Sequence, residues 1–149
     1  MEKITFDSGV KTYQINDSGI LRFNPSDPNL SARFFKAVDK LQEIEKGLEI
    51  AKEEENTKAT GETVIHLMEQ ADMRAKKVLS DVFGKENNFD DIFGGVNILA
   101  VAGNGERVIT NFLEAILPII QAGAEKCAKS YAAAAVKEAE AARTAREAL

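Results

Sequence analysis

Two prolines three residues apart constrain this chain more than any other feature. They lie in the stretch RFNPSDPNLSARFF, residues 22–35. Pro25 ends a strand, because it has no N–H to give to a sheet ladder. Asp27 followed by Pro28 reads as an N-cap with proline at the first helical position, where the missing N–H costs nothing. Asn29 or Ser31 are alternative caps that would move the start by a few residues. From Leu30 onward Phe34, Val38, Leu41, Ile44, Leu48 and Ala51 recur at helical spacing. Gly47 costs about 1 kcal/mol relative to alanine, but the stripe continues through it. The helix is expected to fray in KEEENTKATG. The stretch therefore turns a sheet edge into a long amphipathic helix.

Upstream, residues 3–23 read as three short strands: KITF, VKTYQIN and ILRF, separated by two copies of Asp-Ser-Gly. Asp supplies a turn-forming side chain and Gly accepts positive φ. A ten-residue repeat of this kind predicts a β-meander. In the middle strand Val10, Thr12 and Gln14 share one face, and Lys11, Tyr13 and Ile15 the other. Which face is buried stays open. Three such strands bury little alone and need a helix or a neighbouring subunit over them.

Downstream, Val64, Met68, Ala71, Ala75, Val78 and Val82 mark a second helix that starts near Thr60 or Gly61 and stops at Gly84. KENNFDDIFGG reads as a loop around a short helix capped by Asn88. After Gly105, Ile109, Phe112, Leu113, Ile116, Leu117 and Ile120 mark a buried helix that Pro118 should kink. The end of the chain, KSYAAAAVKEAEAARTAREAL, has high helix propensity but little with which to form a core. Such a helix projects into solvent or packs on a partner through its alanines. The expected fold class is α+β: an N-terminal three-stranded antiparallel meander, a mostly helical bundle and a C-terminal Ala-rich helix. Residues 1–128 form one domain in this reading, and 129–149 a helical extension.

The chain has 149 residues, 44% of them hydrophobic, which suits one globular domain with a sizeable core. A net charge of −5 and the lack of a Lys/Arg run oppose nucleic-acid binding. The single Cys127 cannot form an internal disulfide, which points to a reducing, cytoplasmic setting. Apolar runs such as residues 108–120 are interrupted and fall short of the roughly 20 residues of a membrane span, so no membrane partner is expected.

The motifs give little chemistry. His66 is the only histidine, which removes zincin-type sites and leaves Cys127–His66 as the sole thiol dyad to weigh; a structural role for both is the simpler reading. FGKE, residues 83–86, lacks the earlier glycine and the Ser/Thr of a phosphate loop. GNGERV, residues 103–108, places Val108 where a dinucleotide fingerprint needs glycine, and reads better as a helix-to-helix turn. Asp90 and Asp91 with Asn87 and Asn88 could ligate a hard cation, but a helix cap explains the same residues. KEEE, residues 52–55, reads as a solvated helix end. No catalytic residue, cofactor site or metal site is expected. Phe34, Phe35, Val38, Phe89, Ile92 and Phe93 are the candidate partner-binding residues, with Phe34 and Phe35 split between core and surface.

The order of strands, double-proline turn, Phe-Phe and long acidic helix carries a resemblance. ILRFNPSDPNLSARFFKAVDKLQEI, followed later by FDDIFGG, resembles the tail assembly chaperones of long-tailed phages and prophages of Gram-positive bacteria. The likeness covers residues 1–125 in layout, and residues 20–35 and 91–94 in detail. The Ala-rich end lies outside it. The resemblance implies a non-enzymatic protein of the host cytoplasm that binds the tape-measure protein, recruits tail-tube subunits and self-associates. Competing readings are a minor structural tail or head-completion protein, an oligomeric adaptor or regulator, and an enzyme using Cys127.

Overall fold

The computed structural model describes residues 1–55 and 61–148. Its elements, in order, are β1 (Lys11–Ile15), β2 (Gly19–Phe23), α1 (Pro28–Glu55), α2 (Gly61–Phe83), α3 (Phe89–Ile92) and α4 (Val108–Glu147). The expected three-stranded meander is thus corrected: among the described residues the sheet is a two-stranded antiparallel hairpin in a mostly helical fold. KITF forms no strand.

The reason lies in the two Asp-Ser-Gly tripeptides, which do different work. The second sits at a hairpin in which Ile15 pairs with Gly19. There Asn16, not the glycine, takes the positive φ of 51°, and Gly19 opens β2. In the first, Gly9 has φ +77°, and its N–H donates to Asp7 Oδ1 at 2.8 Å. Asn24 Nδ2 donates to the Ser8 carbonyl at 3.2 Å, and a Cβ on Gly9 would stand 2.7 Å from that same nitrogen. Asn24 therefore clamps the Ser8–Gly9 corner, and the chain before it does not return along β1.

The double-proline stretch folds as its residues dictate. Asp27 Oδ1 accepts from the Asn29 N–H at 2.9 Å, which caps α1 with Pro28 at its first position. α1 runs through Glu55, with Leu30, Phe34, Ala37, Leu41 and Leu48 buried. The anticipated fraying of residues 56–60, and a start of α2 at Thr60, lie outside the described residues. α1 packs chiefly on α2 and more lightly on α4. Gly84, at φ +105°, terminates α2, and its N–H reaches the Ser80 carbonyl. Asn88 caps α3, its side chain accepting from the Asp91 N–H.

α4 has no side-chain cap. The loop before it serves instead: the carbonyls of Ile98 and Ala100 accept the N–H groups of Ile109 and Val108, which satisfies two of the donors that a helix start leaves unpaired. α4 continues through Pro118, which lies on its exposed side and leaves the carbonyl one turn back without its helical donor. Gly123 is buried against the double-proline turn, and a Cβ there would coincide with the Pro25 carbonyl. Beyond residue 129 α4 runs on without a break to Glu147 and is exposed throughout. Among the described residues no helix is long and apolar enough to cross a membrane.

One aromatic cluster ties the elements together. Phe23 of β2 stacks on Tyr13 at 4.7 Å and meets Phe83 of α2 edge-on at 5.1 Å. Phe83 and Phe89 approach Phe112 of α4 at 6.4 and 6.5 Å, and Phe93 meets Phe112 at 5.1 Å. Edge-to-face pairs of this kind are worth about 0.5–1.5 kcal/mol beyond their burial.

Candidate functional site

The hairpin is short and α4 is long, so the hairpin does not cover the apolar face of α4. Between them lies a groove of about 660 Å³. Strand alternation turns Tyr13 and Ile15 toward it from β1, and Leu21 and Phe23 from β2. Helical spacing brings Val108, Phe112, Ile116 and Ile119 of α4 to the opposite wall. Phe93 and Val96 line it as well. Gln14, Asn16 and Asn111 are the polar lining, and no charged side chain borders the groove. Asn111 already exchanges hydrogen bonds with Asn104, at 2.9 and 3.1 Å. Burial raises the Tyr13 phenol above its usual value. The consecutive residues Tyr13 to Asn16 all line the groove, and β1 has no strand partner besides β2 among the described residues.

The other edge of the hairpin is closed. The Asn87 side chain accepts the Arg22 N–H at 2.9 Å and donates to the Arg22 carbonyl at 2.9 Å. A third bond runs to the Phe83 carbonyl at 2.9 Å. One buried amide thus does what a neighbouring strand would do. Close by, buried Lys76 bridges Asp72 at 2.9 Å and Asp90 at 2.8 Å, and Asp72 also accepts the Ile98 N–H. Burial by itself would lower the Lys76 ammonium, but the hydrogen bonds and charges of Asp90 and Asp72 outweigh it and raise it.

Of the residues singled out from the sequence, Phe34, Phe89 and Ile92 are buried in the core of this chain. Phe35 packs edge-on against Phe34 but is 47% exposed. Val38 is half-buried on α1. Phe93 alone of the six lines the groove. Tyr13, Ile15, Val108 and Ile119 were not singled out as site residues. The strand alternation did separate Tyr13 and Ile15 from their neighbours, but the sequence left open what that face meets.

The residues weighed for chemistry are engaged elsewhere. Asn88 caps α3, Asn87 holds β2, and Asp90 holds Lys76. His66 is exposed and pairs with Gln70 one turn on. Cys127 is half-buried on α4. The glycine-rich turn at residues 101–107 closes on itself through Ala102 N–H to Glu106 O at 2.7 Å. Among the described residues no group of three or more His, Cys, Asp or Glu is placed to hold a metal ion. What the groove can do is take up an apolar chain segment: it offers carbon from the hairpin and from α4, with three side-chain amides among its lining. No protein-family model, curated protein or solved structure matches this chain.

Proposed function

We propose that this protein is a non-enzymatic tail assembly chaperone of a long-tailed phage or prophage, which holds apolar segments of the tape-measure protein and recruits tail-tube subunits. The observation that carries the reading is the uncharged, carbon-lined groove between the hairpin and α4. A chaperone must hold sticky, helical client segments without demanding one sequence, and an apolar groove with few polar fixtures suits that task. The acidic balance of the chain, −5 overall, favours solubility of a module with such a surface. The resemblance in residues 20–35 and 91–94 supplies the biological setting.

Co-expression with a fragment of the tape-measure protein, followed by light scattering on a sizing column, tests it. The expected result is a soluble complex that Ile119→Asp, on the groove wall, abolishes. A fragment that stays insoluble, or a complex indifferent to the substitution, overturns the reading. Finding the protein in purified virions would favour a minor structural component instead.

A further inference from the structure

The charges on the α1–α2 pair are sorted by end. α1 carries Arg33, Lys36 and Lys40 before residue 42, with Asp39 its lone acid there, and five glutamates between residues 43 and 54. α2 runs back along α1, as the bond from Arg33 Nε to the Val82 carbonyl at 3.0 Å shows. Its order is reversed: Glu62, Glu69 and Asp72 come first, then Arg74, Lys76 and Lys77. The cations of both helices therefore gather at one end of the pair. Arg33–Lys36, Lys36–Lys40 and Arg74–Lys77 are like charges one turn apart, an arrangement that weakens a helix. A chain of net charge −5 has carboxylates enough to relieve them, yet it places these at the far end.

A cleft of about 140 Å³ opens between the helices at the basic end. Ala37, Val78 and Val82 give it a carbon lining, and Arg33, Lys36 and Lys40 border it from α1. Arg74 lies one turn from Val78 on the same side of α2. Asp81, the one acid at the cleft, is engaged by Lys77 at 3.6 Å. Arg33, Lys36, Lys40 and Arg74 are exposed and make no ion pair among the described residues. The Val82 carbonyl fixes the Arg33 guanidinium through Nε, which leaves its two terminal nitrogens as a ready fork for a carboxylate.

We propose that this cleft docks an acidic helical segment of a partner protein, with one carboxylate on the Arg33 fork and others along Lys36 and Lys40. Charge complementarity names the occupant. The three cations of α1 follow one another at a turn's spacing over about 10 Å, which is the spacing of carboxylates on one face of a helix. The carbon lining suits the methylene stem of a glutamate. A nucleic-acid strand would find no aromatic side chain in the cleft on which a base could stack. The cleft shares no residue with the groove between the hairpin and α4, so this site goes beyond the function proposed above and does not depend on it.

Fluorescence anisotropy on the full chain tests it. The probe is a labelled alanine-based helical peptide with glutamate at every fourth position, at low ionic strength. The peptide should bind, and the affinity should fall several-fold as salt is raised to about 0.15 M. Lys36→Gln/Lys40→Gln should weaken binding about tenfold with an unchanged thermal midpoint, since both side chains are exposed. Arg33→Lys, which keeps the charge but loses the fork, should weaken it about threefold. Lys129→Gln/Lys137→Gln makes the same change in net charge on the exposed part of α4 and should leave binding as it was. A peptide that does not bind overturns the proposal, as does equal weakening by the two double variants. Tighter binding of an oligothymidylate of matched charge overturns it in favour of a nucleic acid.

Discussion

The two edges of the hairpin are built on opposite principles. Along β2, the outward N–H and carbonyl of Arg22 are both taken by the Asn87 amide, and Gly19 lies so near the Ile92 carbonyl that a Cβ would come within 2.7 Å of it. Along β1, by contrast, the outer edge has no strand partner among the described residues, and Tyr13 and Ile15 line an uncharged groove that the hairpin shares with α4. Buried polar groups must be paired, because leaving one unpaired costs about 1–3 kcal/mol. Unfilled apolar surface carries no such compulsion within one chain. The sealed edge therefore adds to the stability of this chain, and the open edge adds nothing to it.

The sharpest way to break this contrast uses adjacent residues. Phe34 is 1% exposed and Phe35 47%. Phe34→Ala should cost about 3–5 kcal/mol in urea unfolding, as truncations of buried phenylalanines do, whereas Phe35→Ala should cost less than about 1 kcal/mol, with the same slope in urea. Equal losses would mean that the surface around Phe35 is covered in solution. The next effect in size concerns the sealed edge itself. Asn87→Leu strands the Arg22 N–H and carbonyl together with the Phe83 carbonyl, and should lose about 2–3 kcal/mol. Its counterpart on the open edge, Gln14→Leu, removes only an exposed bond to the Asp17 carbonyl and should stay within about 0.5 kcal/mol. A mild Asn87→Leu would show that water replaces the amide, and the distinction between the edges would fail.

The sequence made one side of this comparison legible and hid the other. Asp27, Pro28, Gly84 and Asn88 act locally, within a few residues, and their chemistry announced the helix ends that the structure shows. The stripe on α1 was legible for the same reason, since period and burial coincide there. Asn87 was not legible. It acts on Arg22, 65 residues away, and no local pattern marks a side chain that replaces a strand. Nor could identical tripeptides reveal different fates. Both copies of Asp-Ser-Gly suit a turn, but only the pairing partner decides, and Asn24 rather than β1 claims the first. The groove was half visible: Tyr13 and Ile15 share a face in the sequence, but that the hairpin would leave α4 partly uncovered depended on how long each element became.

Alkaline pH separates the two sides by titration. Lys76, on the sealed side, has its ammonium raised above the usual 10.5 by Asp90 and Asp72, against the opposing effect of burial. A raised folded-state value means that its contribution is fully present below 10.5 and is lost as pH climbs through the folded value. Tyr13, on the groove, is raised above 10.0 by burial, so the folded state keeps the phenol proton longer and stability again falls as pH rises past the unfolded value. The urea midpoint should therefore show no loss from these two groups until about pH 10, and a fall above it. Lys76→Met and Tyr13→Phe should each remove their own share of that fall. A fall that neither variant changes would place the alkaline sensitivity elsewhere.

The smallest effect is expected where α4 leaves the body. Residues 130–147 are helical and exposed along their whole length, so removing the chain from residue 130 onward takes away almost no buried apolar area among the described residues. Helix propensity alone contributes little, because a segment of this length is marginal in water and gains its order by continuing a helix already nucleated at Val108. Truncation should therefore shift the urea midpoint by an amount equivalent to less than about 0.5 kcal/mol, while the far-ultraviolet helix signal falls in proportion to the residues lost. The urea slope should hold as well, since it follows the surface that unfolding exposes. A truncated chain that unfolds at markedly lower urea would mean that the alanine-rich half is covered in solution. If that loss also depended on protein concentration, the cover would be another copy of the chain, packed on the exposed half of α4.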